Sequence, residues 1–443
     1  MRNLHSKNTV RYYLFIVIVL AFFFFSNDFG LIDVQKTAIV MAVGIDREED
    51  SFILTSQIAI PQSSKQGKTT ETVQLVSRGK TVADAFEEIN AKTGWYPKLV
   101  FCNLIILGSK TAEQNVFDAL DYFLRDEYLS DDCLLATCDG LAKDLLNVTA
   151  LVDPSGATAM QKVLSPHAER VGAVLPSTLR EFAIGYFSDS RCGFLPIIKT
   201  EPQQEKIEGE SNSSSQGSPS DNQSGGSNSH SGSGSGGENS SSGGSGGGSD
   251  KSGSSGESGS GGESGSGGEQ KKNDKPVFSA GETALFLDGK RVEKLTREES
   301  FAFSAVTNAL RLANYSVPSS DNTCTLIIKQ NQPKTKLSVG KNDRACLKIS
   351  VVLTAGIADY SKSQDLLNIS DVGDLPRGVF QAAEKKMSAE ITRVFDKCRL
   401  SGCDLFGIQE RLTKYEKKHA DRLADTALVG AIADVEVHFR NVR

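Results

Sequence analysis

Residues 38–61, AIVMAVGIDREEDSFILTSQIAIP, are two apolar runs facing each other across the charged stretch Asp46 to Asp50. This pattern predicts a β-hairpin. After a polar loop, Gln62 to Thr70, residues 71–77 alternate and predict a third strand. Thr81 and Asp84 have the spacing of a capping box, and Val82, Ala85, Phe86 and Ile89 then fall on one helical face. A strand is expected over Leu99 to Leu107, closed by Gly108, then a helix from Ala112 to Arg125 and a buried strand from Cys133 to Cys138. Helical spacing continues around 141–146, 157–164 and 179–187, before a strand at 193–198. Strand and helix alternate, as in a mixed α/β region.

A second patterned region starts at Glu282 to Leu287, turns at Asp288-Gly289 and returns through Lys290 to Leu295. Thr296 and Glu299 form a second capping box ahead of a helix carrying Phe301, Ala305, Ala309 and Leu312. Strands are expected at Thr323–Lys329, Lys334–Val339 and Cys346–Tyr360. The first and third alternate as an antiparallel sheet with one buried face would require. A long amphipathic helix, Arg377 to Leu400, a break over Gly402 to Gly407, a helix from Ile408 to Leu423 and a strand Val435 to Arg440 complete the pattern.

The fold class expected is α+β, with mixed and antiparallel sheets and helices packed on one face, in two or three domains separated by a disordered Gly/Ser linker. The expected divisions are 1–30 (basic n-region and anchor or signal), 31–200 (with lobes at about 31–140 and 141–200), 201–276 (linker) and 277–443. The linker is almost wholly Ser, Gly, Asn, Glu and Gln and has nothing to bury. As a coil of roughly 75 residues it would separate its ends by about 50 Å, acting as a flexible tether or a tolerated insertion. Within it, Gly243 to Gly247 and Gly232 to Gly237 satisfy hydrolase and dinucleotide expressions without the flanking strand and helix, and read as compositional accidents.

The N-terminus changes the picture. Arg2, Lys7 and Arg11 precede an apolar run that ends near Phe25, which is either a signal peptide or a short signal-anchor. No small-residue cleavage pattern follows Ala21, so retention is favoured, with the N-terminus cytoplasmic and everything after residue 30 outside. Net charge is -6, so no global basic field holds a polyanion and nucleic acid is not an expected partner.

Catalytic chemistry finds little purchase. The eight cysteines form no Cys-x-x-Cys pair and no histidine stands at zinc-ligand spacing, so no metal or cofactor is expected. In an oxidising exterior Cys133 or Cys138 is a candidate to pair with Cys102; the alternative, buried free thiols, is preferred. Of the five histidines only His167, near Glu169 and Arg170, invites attention, and a surface role fits it better than catalysis. The acids from Asp46 to Asp50 lack the spacing of a calcium loop, and Trp95-Tyr96 reads as packing at a helix end.

Several segments, in order, resemble the Ger(x)C family, the C subunit of bacterial spore germinant receptors. They are Gly44-Ile45-Asp46 followed by Leu54-Thr55-Ser56-Gln57 and Pro61; Gly79 to Ala85; the apolar strand ending in Gly108; and Leu124-Arg125-Asp126. Later come Thr283 to Leu287, Leu295-Thr296 with Glu299, and Cys403-Asp404 with Phe406-Gly407. The resemblance implies a non-enzymatic subunit beside germinant receptor A and B membrane subunits at the spore inner membrane, the bulk of the chain extracytoplasmic. A small-molecule germinant is a possible ligand, and the alternative reading is an anchored extracytoplasmic solute-binding protein. The chain departs from the family at the usual lipidated cysteine, since no cysteine precedes Cys102, and in its long linker.

Overall fold

The computed structural model describes residues 3–26, 37–60, 71–148, 155–165, 172, 174–201, 277–319, 322–340, 342–360, 377–423 and 426–442. Pro61, the loop from Gln62 to Thr70, His167, His230 and the Gly/Ser linker beyond Glu201 lie outside these residues.

Helix α1 (Asn3–Ser26) comes first, and the expected hairpin follows as β1 (Thr37–Glu48) and β2 (Ser51–Ile60), joined at Glu49, whose φ is 50°. Strand β3 (Glu71–Gly79), helix α2 (Val82–Thr93), β4 (Tyr96–Lys98) and β5 (Leu104–Leu107) come next. They are followed by α3 (Ser109–Ala112), α4 (Phe117–Arg125), β6 (Leu134–Cys138), α5 (Ala142–Leu146), α6 (Gly156–Leu164), α7 (Leu179–Phe187) and β7 (Cys192–Glu201). Beyond the linker lie β8 (Val277–Leu287) and β9 (Lys290–Leu295). The remainder is α8 (Arg297–Val306), β10 (Ala313–Ser319), β11 (Asn322–Val339), β12 (Ala345–Tyr360), α9 (Arg377–Ser401), α10 (Ile408–Tyr415), α11 (Lys417–Leu423) and β13 (Ile432–Asn441).

The first sheet runs β3-β2-β1-β5-β6-β7-β8-β9, with β4 paired to the start of β1. Its centre, β1-β5-β6-β7, is parallel and its flanks antiparallel. Helices cover both faces. Val43, Ile45, Ile105 and Leu135 meet Phe86, Leu120 and Phe182 on one side, and Ala42, Leu104, Ile106 and Ala136 meet Leu145, Leu146 and Met160 on the other. That double cover is why β5 and β6 read as unbroken apolar runs.

The second sheet, β10-β11-β12-β13, has its helices on one face. Along β12 every second residue, Leu347, Ile349, Val351 and Leu353, is buried, and Met387, Ile391 and Val394 of α9 join the same core. The α+β class holds, with the one-faced arrangement belonging to this second sheet. Its last strand pairs parallel to β12.

Several boundaries differ from expectation. Residues 99–101 form a turn closed by Cys102 N–H on the Leu99 carbonyl, so β5 is only four residues long. The helix expected from Ala112 is broken at Asn115, whose Oδ1 caps Phe117 N while Val116 N–H donates to Gly289 O. Helix α8 stops at Val306 because Asn308 adopts φ 62°, which leaves Leu312 exposed rather than on the helix. The strands expected at 323–329 and 334–339 are one strand, β11, and β10 was not expected at all. The helix expected over 408–423 is interrupted at Glu416, which has φ -123° and ψ 44°.

The expected 50 Å between linker ends is also overturned. Glu201 and Val277 are direct partners in the β7/β8 ladder, so backbone pairing holds together the two points where residues 202–276 leave and return.

Candidate functional site

The motif residues gather into groups, and each group is built around a helix start. In the first, Asp46, near the end of β1, faces the amino end of α5. One carboxylate oxygen accepts Ala142 N–H at 2.8 Å and the other accepts Lys143 N–H at 3.0 Å. The side chain is buried, and burial raises its pKa above the ordinary carboxylate range while the two amide bonds pull it down. Gly44, on the same face of β1, lets α5 come close: a Cβ there would lie 3.0 Å from both Ala142 Cβ and Leu146 Cδ1. Gly108 is more tightly required, because a Cβ on it would stand 2.0 Å from Asp46 Oδ1. Gly44 and Asp46 on β1 and Gly108 after β5 thus form one seat for α5. Gln57, buried on the neighbouring strand, donates to Thr72 Oγ1 at 3.0 Å.

The second group surrounds the start of α8. Thr296 caps the Glu299 N–H, and Glu299 returns a carboxylate oxygen to Thr296 N at 2.8 Å. That same oxygen accepts from Lys397 Nζ of α9 at 2.7 Å, and Lys397 also donates to the Lys294 carbonyl at 3.1 Å. Leu295 is fully buried beside them. A surface-type capping box has here become a buried link between α8 and α9, since Glu299 is only 4% exposed.

The third group is Asp404, Phe406 and Gly407. Asp404 accepts Ile408 N–H at 2.9 Å and Gln409 N–H at 2.8 Å, capping α10. Gly407 supplies the left-handed φ of 64° that the entry to α10 requires. Phe406 stands edge-on to Phe303 of α8 and Phe395 of α9, at 5.6 and 5.5 Å between ring centres. Burial raises the Asp404 pKa, opposed by the amide bonds from Gln409, Ile408 and Gly407. The neighbouring thiols reach the first sheet: Cys403 donates to the Phe286 carbonyl of β8 at 3.3 Å, and Asp404 N–H points to Cys192 Sγ of β7 at 3.1 Å.

Arg125 and Asp126 join none of these. Arg125 is exposed and pairs with Asp121 one turn earlier at 2.7 Å. Asp126 Oδ1 accepts the N–H groups of Tyr128 and Leu129, closing the turn after α4.

A cleft of about 700 Å³ opens beside the second group, its wall including Lys162, Arg297, Phe301, Leu312, Tyr315 and Lys386. Phe301 stacks on Tyr315 at 5.3 Å, and Lys386 Nζ lies 4.9 Å from the Tyr315 ring centre. Behind it the Tyr315 hydroxyl donates to Glu390 Oε2 at 3.0 Å. Glu390 is 1% exposed, and burial raises its pKa as well as that of the Tyr315 phenol. Glu390 and Lys397 were not anticipated, although Glu390 sits three residues after Met387, inside the apolar stripe of α9. A carboxylate in such a stripe needs a buried partner.

All eight cysteines are free thiols. Among the described residues no group of His, Cys, Asp and Glu converges to hold a metal ion. His419 and His438 lie at the surface near Asp343 and Glu384. Among the described residues, too, no helix is long and apolar enough to cross a membrane.

A mixed sheet and a one-faced second sheet, linked by buried helix-capping residues, define an α+β protein whose motif acids serve the fold. Two family models match it, the spore germination protein N-terminal domain over residues 31–200 and the spore germination B3/GerAC-like C-terminal domain over residues 281–439. The chain belongs to this family, Ger(x)C.

Among curated proteins it is similar to spore germination protein B3 of Bacillus subtilis (strain 168), 31% identical over 119 residues. That alignment covers 26% of this chain and 31% of the relative, so the match spans about a third of the relative's length. Among solved structures it is similar to the crystal structure of the GerBC protein, with TM-score 0.46 and 15% identity, covering 90% of this chain and 97% of that one.

Proposed function

We propose that this chain is a non-enzymatic, membrane-anchored subunit of a nutrient germinant receptor, working through contacts with the A and B membrane subunits at the spore inner membrane. The observation that carries this reading is the match of both family domains, in order, along 31–200 and 281–439. The fate of the motif residues supports it. Asp46, Glu299 and Asp404, the acids that would otherwise be candidates for catalysis, hold their oxygens on backbone amides and Lys397.

The working division is an anchor in 1–30, an N-terminal germination region in 31–200, a linker in 201–276 and a C-terminal region in 277–443. The anchor is assigned to α1, whose Tyr12, Leu14, Phe15 and Leu20 are exposed along an apolar run; the described part of that run is shorter than a full span, which residues after Ser26 would have to complete. With Arg2, Lys7 and Arg11 ahead of that run, the positive-inside rule leaves the folded region extracytoplasmic. The test is an affinity pull-down from spore membranes with the chain tagged at its C-terminus. Recovery of two multi-pass membrane proteins is the expected result; recovery of the tagged chain alone, at good yield in mild detergent, refutes the receptor reading.

One observation favours a second reading, an anchored solute-binding protein. The cleft at Tyr315 joins an apolar wall to Arg297 and Lys386, a combination that suits a small molecule bearing a carboxylate. Calorimetry with amino acids and sugars that stays flat would dispose of it.

A further inference from the structure

The amino-terminal end of the parallel strands carries large apolar side chains that the core does not use. Trp95 is 38% exposed, Tyr96 52%, Val100 49%, Phe101 54% and Tyr128 51%. They come from three connections: the segment after α2, the turn between β4 and β5, and the loop between α4 and β6. Topology brings them to one place. Strands β1, β5 and β6 are parallel, so the connections entering them lie at a common end. Lys98 links two of them, with its Nζ 3.8 Å from the Tyr128 ring centre and 5.5 Å from that of Tyr96. Isolated exposed apolar residues need no explanation, but a cluster of aromatic rings with a lysine threaded between them does.

The position of this cluster is the second observation. Thr37, the first residue of β1, is paired with Tyr96, so the chain arriving from α1 enters the sheet beside the aromatic cluster. Ten residues separate Ser26 from Thr37, and even fully extended that connection reaches no more than about 40 Å. The charged hairpin turn at Glu49-Asp50 is at the other end of β1, roughly 35 Å away. The chain from α1 therefore enters the sheet at its aromatic end, and the polar end lies a full strand length beyond that point of attachment.

We propose that the Trp95, Tyr96, Val100, Phe101 and Tyr128 cluster seats this end of the sheet in the headgroup region of the bilayer that holds α1. Trp and Tyr favour that region because their rings are apolar and their N–H and O–H groups stay wet, and Lys98 has the long stem needed to carry its charge into water. The nearby acids argue for lipid contact through rings rather than through charge: Asp121 pairs with Arg125 and Asp131 with Arg180, leaving no basic field to draw anionic lipid. The proposal rests on the reading of α1 as an anchor.

Trp95 is the only tryptophan of the chain, so its fluorescence reports on this cluster alone. The full chain is reconstituted into phosphatidylcholine vesicles, floated on a density gradient, and its emission compared in vesicles with plain acyl chains and with chains brominated near the headgroup. The expected result is flotation, an emission shifted to shorter wavelength, and loss of most of the intensity in brominated lipid, persisting in high salt. A Phe101→Ser/Tyr128→Ser variant with unchanged circular dichroism should float but lose most of that quenching. A chain that floats while its emission is the same in both lipids overturns the seating and assigns the cluster to a protein partner. A chain that fails to float overturns the anchor reading and the seating with it.

Discussion

Asp404→Ala tests whether the Asp-x-Phe-Gly element works as a cap or serves some exposed function. The substitution removes two carboxylate acceptors, at 2.9 Å from Ile408 N and 2.8 Å from Gln409 N, and takes the acceptor from the amide of Ile408, a fully buried residue. An unsatisfied buried amide costs about 1–3 kcal/mol, and loss of a helix cap by itself about 0.5–2 kcal/mol. Relief of the buried charge offsets part of this, so the net loss should be about 2–3 kcal/mol. At this size that corresponds to a fall in melting temperature of roughly 5 °C. Asp404→Asn keeps one acceptor and should lose about half as much.

The pH dependence separates the two variants further. Burial raises the folded-state pKa of Asp404 above its unfolded value, so between those two values the folded chain binds more protons than the unfolded one. Stability contributed by this group therefore falls as pH rises through that window, and is greatest below the ordinary carboxylate range. Wild type should gain on Asp404→Asn as the solution is acidified from neutrality. Urea denaturation of the full chain across that range measures both effects. An Asp404→Ala midpoint equal to wild type would refute the capping argument, and a gap to Asp404→Asn that does not widen in acid would show that the amide bonds outweigh burial at this carboxylate.

Three further outcomes follow from the geometry. Gly108→Ala should cost about 1–3 kcal/mol by pushing Asp46 off the amides of α5; in an Asp46→Ala background the same change should cost much less, which a double-mutant cycle in urea reads directly. Tyr315→Phe should cost about 1–3 kcal/mol, because it removes the hydroxyl that satisfies Glu390; an unchanged midpoint would mean that Lys386 alone suffices. Replacing residues 202–276 by an Asn-Gly turn should leave the fold intact and raise stability by up to about 3 kcal/mol, at about 0.6 kcal/mol per halving of loop length. Loss of folding in that deletion would show that the ladder from Glu201 to Val277 depends on the segment between.

Much of the fold was legible because local chemistry and tertiary structure agree in it. Both capping boxes, the Asp288-Gly289 turn and the stripe on α9 are signals carried by a few neighbouring residues, and each stands where the pattern put it. The pattern failed where distant residues decide. The helix expected from Ala112 breaks because Gly289 supplies an acceptor to Val116 N–H, a contact no local reading contains. Strand β10 alternates Ala313, Tyr315 and Val317, but a proline at 318 and its short length concealed the period. At the sites, Asp46 read as the start of the charged stretch of the hairpin because acids follow it, whereas its own position on β1 turns it toward α5. The Glu299 to Lys397 link joins residues 98 apart and has no sequence signature beyond an acid in a cap.

The course of the chain bears on how its two family domains are coupled. A flexible tether between separate domains would let each move alone. Here the strands on either side of residues 202–276 are neighbours in one sheet: β7 comes from the N-terminal region, while β8 and β9 come from the C-terminal region. The C-terminal helices then press on that shared edge. Cys403 bonds to β8, Asp404 N–H points to Cys192 of β7, and Lys397 of α9 bonds the Lys294 carbonyl in β9 and the Glu299 carboxylate of α8. A displacement of α9 or α10 cannot leave β7 to β9 in place without breaking these bonds, and strands β7 and β6 continue directly into the core that seats α2, α4 and α7. The mechanical connection between the two family domains is therefore the strand pairing and these buried bonds, and the Gly/Ser segment is an insertion at the mouth of a hairpin rather than the joint between them.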